Sequence, residues 1–418
     1  MQVISFICLF FLLISNQLFA QVYKTQAISS EIHTISVNKQ GDWLQLPVID
    51  INSDEYIELS FDRMGDNSTN RLRYKVIHCN ADWTQSSLSD IEYIDGFNDN
   101  SVDDYALSVN TTFEYTNFKL ALPNNDMGFK LSGNYVVRVY EEDNTDNILL
   151  DACFSVMEPQ IAISANITSN TLIDANREHQ QVSFVINHQG MNIRDPFSDL
   201  KVFVRQNNRL DNQKRLVKPT YVQASKLLYE QNRDLIFEAG NEYRRFEIVS
   251  HRYNGYRIEH TQYDRPYYYA SIIPDQIRSN KRYIYDEDQD GRFYIRNAEG
   301  HDSSIDADYF FVKFSLMTDN PILDNIYING DFTDNTFDDD NLMKYDYERK
   351  EYQATLLLKQ GAYNYQYLTK KGSNYSAAII EGNYFQTENA YQIYIYHRPM
   401  GERYDRLIGF LNLEKKIM

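Results

Sequence analysis

After its first twenty residues the chain shows no helical periodicity; from Val22 onward it is written in short alternating segments broken by polar turns. Tyr56 to Phe61, Leu72 to Cys79, Phe113 to Leu122, Tyr135 to Tyr140 and Leu149 to Met157 follow one another in this way. Alternation of apolar and polar side chains marks strands with one covered face, and many such strands between turns describe a β-sandwich. Aromatic content reinforces the reading, because 34 Tyr and 23 Phe stand against only 16 Gly and 9 Pro, and large rings pair across neighbouring strands. The expected fold class is all-β: three immunoglobulin-like or jelly-roll-like β-sandwich domains in series.

Met157-Glu158-Pro159 reads as a linker and closes a first unit over residues 21–158. A second, over 159–305, begins with strands at Ile161 to Ile167, Gln181 to Asn187 and Leu200 to Gln206, and continues as a polar region rich in Arg and Tyr. A third, over 306–418, carries Tyr309 to Leu316, Asn325 to Asn329, Tyr352 to Lys359, Gly361 to Lys370 and Tyr391 to His397, and ends in Leu407 to Leu413. Within it, Ile326-Tyr327-Ile328-Asn329-Gly330-Asp331-Phe332 and Gly361-Ala362-Tyr363-Asn364-Tyr365-Gln366-Tyr367 resemble the frame of the early-set immunoglobulin-like domains found beside starch- and glycogen-active enzymes. Sugar binding in those domains depends on exposed tryptophans. Both tryptophans here, Trp43 and Trp83, fall in the first unit, so the third is expected to be a sandwich without a glycan site.

The first twenty residues are of another kind. Val3 to Ile14 is apolar apart from Ser5, no charged side chain precedes Lys24, and Ala20 stands just before a cut ahead of Gln21. This is the pattern of a secretion signal, too short to span a bilayer, so the mature protein is expected outside the cytoplasm. No later stretch reaches 18 consecutive apolar residues, so no membrane helix is expected. Cys79 and Cys153 would then lie in a compartment that permits disulfides; a bridge and two buried free thiols are both open.

With 41 Lys and Arg against 59 Asp and Glu, the net charge of -18 repels phosphate backbones and excludes nucleic acid as a partner. No HExxH, GxSxG, Walker loop or GxGxxG occurs, and Ser36-Val37-Asn38-Lys39 matches SxxK without its partner motifs. His78 beside Cys79 and Asp82 lacks a second pair at metal-ligand spacing. Asp286, Asp288 and Asp290, followed by Gly291, match the start of a calcium loop. The twelfth position is Asn297 where a bidentate Glu is required, so an acidic hairpin is the favoured reading. The chain is expected to be no enzyme and to need no cofactor or metal.

Several stretches carry a family resemblance: His78-Cys79-Asn80-Ala81-Asp82-Trp83 with Gly96-Phe97; Gly133-Asn134-Tyr135; Asn241-Glu242-Tyr243-Arg244-Arg245-Phe246; Asp308 to Val312; Glu381-Gly382-Asn383; and Tyr404-Asp405-Arg406-Leu407-Ile408-Gly409. In this order they resemble the plug protein family of the type 9 secretion system of Bacteroidota. The resemblance implies a soluble periplasmic protein seated against the inner mouth of a large outer-membrane translocon barrel, closing its pore, with no insertion into the membrane and no small-molecule substrate. Of the motif residues, Trp83 is expected to pack in the first core, and Asn80 and Asp82 suit the turn beside it. Glu242, Arg244 and Arg245 beside Phe246 suit either an internal charge network or anchors for a partner. An exported glycan-binding sandwich and an outer-membrane barrel are the rival readings; the low Gly count and mean hydropathy of -0.55 speak against the barrel.

Overall fold

The computed structural model describes residues 21–65 and 71–415; the expected export signal over 1–20 lies outside the described residues. The protein is all-β, with six principal sheets that face one another in pairs around three apolar cores. In the first pair, the antiparallel strands Ile32–Lys39, Ile57–Met64, Tyr115–Leu122 and Asp104–Leu107 cover Leu72–Cys79, Gly133–Glu141 and Asn144–Met157. Alternation decides the inward face: Ile57, Leu59 and Phe61 are buried, and Phe61 stacks on its register partner Phe118 at 5.2 Å between centroids.

The second pair sets Ala162–Thr168, His179–Asn187 and Lys226–Tyr229 against Leu200–Gln206, Ala390–His397 and Arg406–Glu414. The third sets Ile258–Asp264, Tyr267–Ile272, Tyr309–Met317 and Glu351–Lys359 against Arg244–Ile248, Phe293–Ile295, Asn325–Asn329 and Gly361–Lys371. The sheets cross the boundary expected near residue 305. Tyr267–Ile272 runs parallel to Tyr309–Met317 across it, and Arg244–Ile248 pairs with Gly361–Lys371. At the far end, Ala390–His397 pairs with Leu200–Gln206, with Val202 opposite Ile395. The second sandwich is therefore discontinuous in sequence, and the third is inserted into it.

That return explains the strand Ala390–His397, every residue of which is buried. A strand buried on both faces reads as a continuous apolar run instead of an alternating one. Tyr391, Ile393 and Ile395 enter the second core, whereas Tyr394 and Tyr396 point the other way into a cluster with Val48, Ala81, Phe203 and Leu407 that joins the second sandwich to the first.

Candidate functional site

Part of the family motif set, Asn80, Ala81, Asp308 and Asp405, meets at the junctions between sandwiches. His78 and Cys79 end the strand Leu72–Cys79, and the chain then turns through Asn80 to Thr84. Asp82 Oδ1 accepts from the Thr84 amide at 3.1 Å and the Thr84 hydroxyl at 2.6 Å, as a turn aspartate does. Trp83, with a left-handed φ of 64°, is buried with Tyr23, Ile77, Cys79 and Val136 in a small cluster separate from the main first core. It covers the outer face of that sheet, which corrects the expectation that it packs inside; Ile77 and Cys79 alternate with the inward Tyr74 and Val76.

This turn is fastened from 300 residues away. The Ala81 amide donates to Asp405 Oδ2 at 2.9 Å, and the fully buried Asp405 carboxylate also pairs with Lys201 and Arg398, each at 2.9 Å. Arg398 in turn donates to the Asn80 side chain. Arg406 does not join the junction; it pairs with Glu402 at 3.0 Å and lies over the Tyr404 ring. His78 sits edge-on to Tyr135 and Tyr404, and burial pushes its imidazole down to about 4, so it is neutral at physiological pH. Gly133 makes this packing possible: its φ is 146°, and a Cβ there would stand 2.5 Å from His78 Nε2.

A second junction joins the first sandwich to the third. Asp62 Oδ2 receives Lys359 Nζ and the Tyr309 hydroxyl, both at 2.6 Å, while Oδ1 accepts from Asn117 at 2.7 Å. Asp308 caps the loop at Thr112, and the Tyr115 hydroxyl donates to the Ala307 carbonyl at 2.8 Å. Tyr309 falls within the family stretch Asp308 to Val312, but Asp62 and Lys359 carry no motif; the one available signal for them is a lysine closing the apolar run Leu356-Leu357-Leu358.

The motif from Asn241 to Phe246 lies inside the third sandwich and at its seam with the second. Arg244 is buried between Glu381 at 2.9 Å and Asp275 at 2.7 Å, and Tyr365 and Tyr367 donate to Asp275 at 2.6 and 2.8 Å. Despite burial, the Arg244 and Arg278 guanidinium groups hold the Glu381 carboxyl down at about 2. Asn241 donates to the Glu381 carbonyl at 2.8 Å, and Phe246 stacks on Tyr363 in the core. Among the described residues Glu242 forms no ion pair of this kind. Burial raises its carboxyl to about 7, and Tyr283 donates to it. Of the two readings left open by the sequence, Glu242 and Arg244 answer to the internal network. Arg245 faces outward to Asp286 at 2.6 Å.

That contact also engages the calcium-like turn. Asp286 is taken by Arg245, Asp288 accepts the Tyr243 and Asp290 amides, and burial raises the Asp288 and Asp290 carboxyls. Asp286 and Asp288 serve separate partners, and among the described residues no group of three or more His, Cys, Asp or Glu is arranged to hold a metal. Cys79 and Cys153 are free thiols. The strand Gly133–Glu141 lies between theirs, which separates their backbones by two ladder spacings, roughly 10 Å, beyond the reach of a disulfide.

Charged and aromatic groups directed at the seams between sandwiches define a structural β-protein whose units are locked to one another. Residues 32–158 match the family described as type 9 secretion system plug protein 1st domain. The structure superposes with a TM-score of 0.92 on the crystal structure of a hypothetical protein from Parabacteroides merdae, at 46% sequence identity over 94% of this chain and 100% of that one. Comparison with curated proteins gives no match. The chain belongs to the type 9 secretion system plug protein family, which assigns it a role in type 9 secretion as a structural component and not as a member of a known enzyme family.

Proposed function

We propose that this protein is the periplasmic plug subunit of the system: it binds the periplasmic opening of the outer-membrane translocon and closes its pore. The observation that carries the reading is the double fastening of the family's first domain, through Asp405 to the second sandwich and through Asp62 to the third. A body that blocks a wide pore must present a broad face without hinging; a hydrogen-bonded buried carboxylate and an apolar cluster at the first seam, and a buried ion pair and stacked aromatic rings at the second, give it that stiffness. The six sheets are open and paired face to face, and among the described residues none closes into a barrel, which supports this reading over that of a membrane barrel. The glycan-binding rival gains no support, since Trp83 is buried and Trp43 packs against Tyr294.

The segment from Asp90 to Phe97 supplies a contact for the partner. Ile91 and Phe97 are 82% and 79% exposed there, and Gly96-Phe97 is one of the stretches that carry the family resemblance. Exposed aromatic anchors of this kind dominate binding where they enter a partner's pocket. The test is co-purification with the type 9 translocon barrel from detergent-solubilised outer membrane. The wild-type chain should appear at stoichiometric yield and Phe97→Asp at a much reduced one. Absence of the wild-type chain from the isolated barrel contradicts the reading.

A further inference from the structure

A cavity of about 160 Å³ lies where all three sandwiches meet. Tyr23, Trp43 and Trp83 of the first line it, with Arg205 and Tyr394 of the second and Arg292 of the third. Its charges do not balance. Lys24, Arg205 and Arg292 face it as cations, and Asp331 and Asp334 as carboxylates. Burial raises the Asp334 carboxyl to about 7 and the Asp331 carboxyl to about 6, against the opposing pull of Lys24 on Asp334 and of Arg292 on Asp331. Arg205 is left over. It is only 6% exposed, its guanidinium lies 4.7 Å above the Tyr394 ring, its Nε has no hydrogen-bond partner, and no carboxylate pairs with it among the described residues.

The strand pattern puts it there. Along Leu200–Gln206, Val202 and Val204 fill the second core, so Lys201, Phe203 and Arg205 point to the opposite face, toward the first sandwich. Lys201 finds Asp405 and Phe203 finds the apolar cluster, while Arg205 opens on the cavity. An unneutralised buried cation is costly, and a planar guanidinium matches a carboxylate two bonds at a time. Tyr23, Trp43, Trp83, Phe293 and Tyr394 form the aromatic part of a wall that elsewhere carries polar side chains, and the volume is close to the ~150 Å³ that accommodates one benzene ring in an engineered apolar cavity of another protein. We propose that this cavity binds a small monocarboxylate bearing a single aromatic ring, its carboxylate on Arg205 and its ring against the tryptophan-lined wall.

The chain contains two tryptophans and both line the cavity, so intrinsic emission reports occupancy directly. The mature chain is titrated with benzoate and phenylacetate, with benzamide as the neutral counterpart. The proposal expects a saturable emission change with the carboxylates, at least tenfold weaker with benzamide, and a thermal midpoint that rises with benzoate. Arg205→Gln should weaken benzoate binding at least tenfold, and Arg205→Lys should retain part of it. If Arg205→Gln does not fold, the comparison of benzoate with benzamide on the wild-type chain decides. No saturable change up to tens of millimolar, equal response to benzoate and benzamide, or undiminished binding in a folded Arg205→Gln would overturn it.

Discussion

Lys359 and Asp62 lie 297 positions apart in sequence and meet at 2.6 Å, with side chains 1% and 0% exposed. Burial pulls the Lys359 ammonium below its usual value even though Asp62 favours its charge. The desolvation cost thus exceeds what the pair returns, and the contact is better understood as a register device than as a source of stability. It admits one docking of the first sandwich on the third.

Breaking that pair from one side should be far worse than removing it. Lys359→Met or Asp62→Asn alone is expected to lower unfolding free energy by about 3–5 kcal/mol, because each leaves a polar partner stranded. The double variant should recover a substantial part of the loss. Urea denaturation of the three variants checks this, and simple additivity would argue that the two residues do not act together.

Asp405→Ala removes the acceptor for the Ala81 amide and the counter-charge of Lys201 and Arg398. A loss of about 3 kcal/mol is expected. Loosening should be local to the seam, so limited proteolysis should cut near Pro159 in the variant under conditions in which the wild-type chain resists. Equal resistance would show that the apolar cluster around Phe203 and Tyr396 holds the seam unaided.

The seams also mark where the sequence was legible and where it was not. Strands such as Ile57–Met64 were readable because one face is covered and the alternation survives. The strand Ala390–His397 was recognised as a strand, yet its membership in the second sandwich was hidden, because its pairing partner lies almost 190 residues earlier and pairing over that distance leaves no local trace. The run Ile393-Tyr394-Ile395-Tyr396, apolar or aromatic at consecutive positions, is the hint in the sequence that two layers cover it. The motif from Asn241 to Phe246 and the stretch from Glu381 to Asn383 are both visible in the sequence, but their pairing is not, and Asp275 carries no signal at all, since a carboxylate that ends up buried is indistinguishable in sequence from a solvated one.

Two buried glutamates give opposite pH responses. The Glu242 carboxyl is raised from 4.5 to about 7, so between those values the folded state holds a proton the unfolded state has lost, and stability falls as pH rises through that window. Glu381 is lowered from 4.5 to about 2, so its contribution is present above 4.5 and is lost as pH falls toward 2. Asp288 and Asp290, also raised, act in the same sense as Glu242. His78, lowered from 6.5 to about 4, acts in the opposite sense below pH 6.5, so the Glu242 contribution is read from the variant: the stability of the wild-type chain relative to Glu242→Gln should fall between pH 5 and 7. A difference that stays constant over that range would contradict the assignment.

Burial raises both thiols, which suppresses the reactive thiolate. The native mature chain should therefore react slowly with iodoacetamide and the unfolded chain at both Cys79 and Cys153. Mass spectrometry without reductant should find no bridge between them.

The central claim concerns the pore, and conductance measures it most directly. The type 9 translocon barrel, isolated with this chain bound and reconstituted in a planar bilayer, should conduct little. After the chain is stripped away a large conductance should appear, and adding back the wild-type protein from the periplasmic side should abolish it while Phe97→Asp should not. A barrel that conducts equally with and without the bound wild-type chain would contradict the account.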